Sequence, residues 1–147
     1  MWKYKDKEIN KLQDLPDHEN VHGFIYLTTH IPTGKKYIGK KVLFFNRKKK
    51  LTKKEISEWN KPGRVAKSRV VTTESDWMKY YGSDKWIMSQ IKEGRSGEFV
   101  REILLLVPTK KQLTFYEVYY QMTHGVLMDD SYLNDSILGK FFRRDFL

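Results

Sequence analysis

The sequence predicts a small α/β domain of the α+β kind, with one three-stranded, mostly antiparallel sheet flanked by helices. Three observations predict it. GFIYLTT (23–29) and KYIGKKV (36–42) have the β-branched and aromatic content of strands, and they flank HIPTGK, whose Pro32 and Gly34 are turn residues, so the two form a β-hairpin. EFVREILLLV (98–107) is an apolar run of the length of a buried strand. Two segments carry helix start and stop signals: Asp84 before KWIMSQIKEG with Gly94 behind, and Thr109 before KKQLTFYEVYYQMTHG with Gly125 behind.

The remaining elements follow in order. Residues 1–21 are polar, end in the turn-rich LPDHEN, and read as an N-terminal arm ahead of a domain over 22–147. LFFNRKKK (43–50) is expected to start a helix, and Thr52 with Glu55 forms a capping-box pattern before ISEW. Pro62 and Gly63 stop that segment. RVAKSRVVTTESD (64–76) is basic and without period, so a loop is expected there, within an insertion over about 48–76. The tail from Met128 is rich in turn residues.

Composition narrows the function classes. The chain of 147 residues fits one domain. No cysteine means no disulfide, no thiolate metal site and no cysteine nucleophile. The charged start MWKYKDKEINK is unlike a secretory signal, and no apolar run approaches the roughly 18 residues of a membrane span. A cytoplasmic location, host cytoplasm for a phage-encoded protein, is the expectation. Net charge is +10, and residues 35–69 hold 14 of the 28 Lys and Arg against two acids, Glu55 and Glu58. So focused a charge suits a phosphate-tracking surface better than a generally solvated face, with nucleic acid the leading partner and an acidic membrane surface the second. The expected contacts are Lys36, Lys41, Lys48, Lys49, Lys50, Lys53, Lys54, Lys61, Arg64, Lys67 and Arg69. No helix-turn-helix or zinc pattern accompanies them, so sequence preference is expected to be modest.

FIY at 24–26 and YIG at 37–39 resemble the two signature tripeptides of the GIY-YIG nuclease family, with Gly23 one step ahead of the usual glycine. The family's arginine, eight residues after the second glycine and on the first helix, corresponds to Arg47. The lysine that follows that glycine in repair-incision members corresponds to Lys40, the late-helix glutamate to Glu117 and a late asparagine to Asn134. YYGSDKW (80–86) is similar to an element of phage and intron-encoded members. The resemblance covers about 22–135, and more than 30 residues lie between Arg47 and the Gly-Ser element, about twice the length in compact members.

That resemblance implies a metal-dependent DNA endonuclease with one divalent cation, Mg2+ or Mn2+, per site. Glu117 would be the metal ligand and Tyr26 the general base or proton relay, its phenol brought down from the ordinary pKa near 10 by Lys40 and Lys36. Tyr37 would orient water or bind the phosphate, Arg47 and Lys40 would offset its growing charge, and Asn134 would support the site. Leu113, Tyr116, Glu117 and Tyr120 share one helix stripe, which turns the acid inward. On that periodicity alone the acid is equally half of a buried ion pair. The implied partner is double-stranded DNA, with a homodimer on it left open. The competing reading is a non-catalytic DNA-binding module on the same fold.

Overall fold

A computed structural model of the chain describes residues 1–60 and 62–146. Lys61, one of the expected DNA contacts, lies outside the described residues. The chain divides into a larger unit, Met1–Leu43 with Asp76–Leu147, and a smaller one, Phe44–Ser75.

The larger unit is built on five strands in the order β2-β1-β7-β3-β4. The expected three are its centre: β3 (Gly23–His30) pairs antiparallel with β4 (Lys36–Val42) on one side and with β7 (Phe99–Val107) on the other. The sheet is wider than expected because residues 1–21, expected as an arm, fold into it. There β1 (Trp2–Tyr4) and β2 (Lys7–Ile9) form a hairpin, and β1 runs parallel to β7. Trp2 drives this docking: it is fully buried and donates its indole N–H to the Trp77 carbonyl at 2.8 Å.

Side-chain alternation gives the sheet two apolar faces. On one, Phe24 and Tyr26 pack edge-on against Trp2, and Trp77 meets Phe24. On the other, Ile25 and Ile38 meet Leu113 of α3 (Lys110–Thr123) together with Val107, Val126 and Leu127. Both long helices begin where expected. The Asp84 carboxylate accepts from the N–H groups of Trp86 and Ile87 at the start of α2 (Lys85–Lys92), and the Thr109 hydroxyl accepts from Gln112 at the start of α3.

The smaller unit corrects two expectations. Residues 44–50 do not start a helix; they form β5 (Phe44–Lys50), paired antiparallel over seven positions with β6 (Ser68–Glu74), where a loop was expected. The reason is the partner strand. A row of lysines gives a helix like-charge crowding at i, i+3 and i+4, whereas a ribbon sets Arg47 and Lys48 opposite the β-branched Val71 and Val70. The capping box of Thr52 and Glu55 does form and starts the short α1 (Lys53–Ser57).

Candidate active site

Tyr26 and Tyr37 meet through their strand pairing. Tyr26 lies opposite Gly39 in the ladder, and Tyr37 stands two residues before Gly39 on the same face. A Cβ at Gly39 would fall 2.5 Å from the Tyr26 hydroxyl and 3.0 Å from the Tyr37 ring. Only glycine lets the first phenol cross its neighbour strand and reach the second, with ring centroids 6.3 Å apart.

The two phenols then diverge. Tyr26 is 1 % exposed, and burial, the Tyr80 and Tyr37 phenols and the Glu117 carboxylate push its pKa well above the ordinary value. This overturns the expectation that Lys40 and Lys36 lower it. Those lysines are engaged elsewhere: Lys40 donates to the Thr114 hydroxyl at 3.0 Å, and the Lys36 ammonium sits 5.0 Å over the Tyr132 ring. Tyr37 is half-buried, and its hydroxyl shares a 2.7 Å hydrogen bond with Ser83. Burial raises its pKa too, opposed in part by that bond. Tyr37 and Ser83 line a cleft of about 490 Å³ with Asp84, Lys85 and Asn134. Ser83 also borders a second cleft, lined by Lys79, Tyr80, Gly82 and Lys92.

Glu117 enters from α3, half-buried on the stripe with Leu113, Tyr116 and Tyr120. Desolvation raises its carboxyl pKa, while the Lys40 ammonium and Lys40 backbone N–H pull it back. No side-chain ion pair to it is formed among the described residues. The acid is close enough to raise both phenols, so Tyr26, Tyr37, Lys40 and Glu117 gather at the β4 edge.

Asn134 is 2 % exposed and works on the backbone. Its amide accepts from the Ile38 N–H at 3.1 Å and donates to the Ile38 carbonyl at 2.8 Å, as a neighbouring strand would. Gln121 adds a second bond to that carbonyl. The residue before Gly39 is thus fixed in place. Arg47 belongs to the smaller unit; it stands on strand β5, not on a helix, with its guanidinium 6.0 Å from the Phe45 ring.

Several parts of this site were given no role by sequence reasoning. The Tyr80 ring meets that of Tyr26 edge-on, with centroids 5.7 Å apart. Gly82, at φ +137, brings the backbone within a Cβ contact of 3.6 Å to the Tyr26 hydroxyl. The Tyr80–Ser83 loop is held from below by Arg101, 3 % exposed, which donates to the carbonyls of Met78, Tyr80 and Met1 while its guanidinium lies 4.0 Å from the Tyr81 ring. Thr28 adds a 2.8 Å bond to the Tyr81 carbonyl. The sequence signal was the YYGS element itself; nothing in EFVREILLLV marked its arginine as the support.

Among the expected DNA contacts, Lys41 is ion-paired with Asp76 at 2.6 Å and stacked over Tyr80, and Arg69 is ion-paired with Glu55 at 2.7 Å. Lys48, Lys49, Lys50, Lys53, Lys54, Arg64 and Lys67 are exposed. Among the described residues no helix is long and apolar enough to cross a membrane.

No curated protein and no solved structure matches the chain. A family model described as "Putative endonuclease segE, GIY-YIG domain" matches residues 2–137, a span that takes in the N-terminal hairpin, both tyrosines, Glu117 and Asn134. The chain belongs to the GIY-YIG endonuclease family.

Proposed function

We propose that the chain is a divalent-metal-dependent endonuclease that hydrolyses phosphodiester bonds in double-stranded DNA, with Glu117 as the protein ligand of a single Mg2+ or Mn2+. The observation that carries this reading is Glu117 itself. A half-buried carboxylate that is raised by desolvation and lacks an ion-pair partner is short of positive charge. A hard cation with oxygen ligands suits it. Among the described residues no three His, Cys, Asp or Glu side chains converge, so water and substrate oxygens would complete the ligand shell. When bound, the cation supplies charge to a phosphate oxygen and stabilises the transition state.

The remaining work falls to the chain. Tyr37 stays protonated at neutral pH, so it acts as a donor rather than as a phenolate. Tyr37 and Ser83 offer two hydroxyls in series at the cleft surface. A water proton passed to the Tyr37 oxygen can leave as Tyr37 hands its own to Ser83 and on to solvent, with no phenolate formed. Tyr26, too buried to meet water, braces the Tyr37 ring and Gly82. The Lys40 ammonium offsets part of the desolvation of Glu117 and adds a charge beside the phosphate. Lys79, Lys85 and Lys92 line the clefts and steer the backbone inward. Arg47 and the exposed lysines of the smaller unit contact DNA phosphates.

Plasmid nicking with Mg2+ or Mn2+ tests the reading. Wild-type protein should convert supercoiled to open-circular DNA, and Glu117→Gln should lose this by about a thousandfold while keeping its DNA affinity. Equal nicking by both would remove Glu117 from the site. Tight binding without nicking by wild type, across metals and pH, would favour a non-catalytic DNA-binding module.

A further inference from the structure

We propose that one face of the β5–β6 hairpin is a base-reading ribbon for the major groove of double-stranded DNA, so that cleavage-site preference is built into the smaller unit. The proposal deepens the nuclease reading and rests on its substrate.

Strand alternation sorts the seven-pair ladder into two faces. Arg69, Val71, Arg47 and Lys49 share one, and α1 covers part of it through the 2.7 Å Glu55–Arg69 ion pair. Asn46, Lys48, Lys50, Val70 and Thr72 share the other, all of them exposed, with Phe44 and Glu74 at one end of it and Ser68 at the other. Its chemistry is unlike that of a face made only to be solvated. Val70 is 63 % exposed at the centre of the stripe, directly opposite Lys48. Asn46 and Thr72 are cross-strand partners, and the Thr72 hydroxyl donates to the Asn46 amide oxygen at 2.9 Å. That bond restrains the amide and leaves both its hydrogens and one oxygen lone pair open to a ligand.

Donor plus acceptor on one rigid amide is the pattern that meets adenine in the major groove, and an exposed methyl pair meets the thymine methyl. Lys48 and Lys50 supply charge complementarity, and among the described residues neither is ion-paired. The unit Phe44–Ser75 carries ten Lys and Arg against three acids, +7 of the chain's +10. The size also fits. A two-stranded ribbon enters a groove about 12 Å wide, and seven residues at about 3.3 Å each span roughly seven base pairs. The deep, narrow major groove of A-form RNA would exclude it.

The test is selection of random DNA duplexes by the full chain in EDTA, with sequencing of the bound pool. Wild type should enrich a short motif. Asn46→Ala should lose discrimination at one base pair, roughly five- to a hundredfold, with an unchanged salt dependence of affinity and an unchanged melting curve. Thr72→Ala should weaken the same position, which separates readout from any misfolding of a single variant. Lys48→Ala should keep the motif and lower the salt slope by about one. The ribbon is overturned by a wild-type pool without a motif, by a motif that survives Asn46→Ala, Thr72→Ala and Val70→Ala, or by tighter binding to duplex RNA. Nicking in Mg2+ is scored separately. A motif without nicking keeps the ribbon and sinks the nuclease reading, and nicking without a motif does the reverse.

Discussion

The β4 edge and the β5–β6 hairpin treat their polar groups in opposite ways. At β4 most are desolvated and answered: Tyr37 by Ser83, the Ile38 backbone by Asn134 and Gln121. Glu117 is the exception, half-buried with no ion-pair partner among the described residues. In the hairpin the charges stand in water, and among the described residues Arg69 is the one of its cations in a salt bridge. Bond cleavage needs groups held rigidly in a medium of low polarity, where each charge acts strongly. Following a phosphate backbone needs mobile charges whose counterions can leave. On the nuclease reading proposed above, one chain meets both needs by keeping them in separate units.

This contrast can be broken by substitution. The largest effect is expected at Arg101. Its methionine variant strips the Met78, Tyr80 and Met1 carbonyls of their donor and should cost about 3 kcal/mol of stability by chemical denaturation. A loss below about 1 kcal/mol would show that the YYGS loop stands without it. Next, Tyr37→Phe should slow nicking about fiftyfold, and Tyr26→Phe should act mainly by lowering stability. The reverse ranking would restore Tyr26 as the residue that meets water.

Glu117 gives a subtler test. Its folded pKa is raised, so ionising it opposes folding. Stability tied to this group is full below the carboxylate range of the unfolded chain and is lost as pH rises through the elevated folded value. Without metal, Glu117→Gln should therefore melt above wild type at neutral pH, the gap closing in acid. Added Mg2+ or Mn2+ should raise the melting temperature of wild type alone. A variant that melts below wild type at pH 7 would mean that the carboxylate is already satisfied. The smallest effect in any one buffer belongs to the hairpin: replacing Lys48 and Lys50 by alanine should lower the salt slope of DNA binding by about two. An unchanged slope would remove that face from the interface.

The sequence revealed what local rules control. The turn between the two tyrosine strands, the caps at Asp84 and Thr109, and the inward stripe carrying Glu117 all follow from neighbours a few residues apart. What it hid depends on distant partners. The N-terminal hairpin turns through Lys5 and Asp6, at φ 47° and 66°, where the usual glycine or asparagine is missing. Its strands are three residues long, too short for a period to register. The lysine run over 48–50 becomes a strand only because β6 lies opposite. Arg101 looks like a break in an apolar run until the loop above it is in place. The expected lowering of the Tyr26 pKa counted nearby cations but could not count burial, which wins.

The segment from Ser131 to Asn134 runs along the outside of β4. The Lys36 N–H donates to the Ser131 carbonyl at 2.8 Å, the Leu133 N–H donates to the Lys36 carbonyl at 2.7 Å, and the Asn134 amide takes both backbone groups of Ile38. Exposed strand margins invite other chains to extend a sheet, and here that invitation is withdrawn. Two copies brought together on one duplex could not merge their sheets along Lys36–Ile38 without first peeling this cover away.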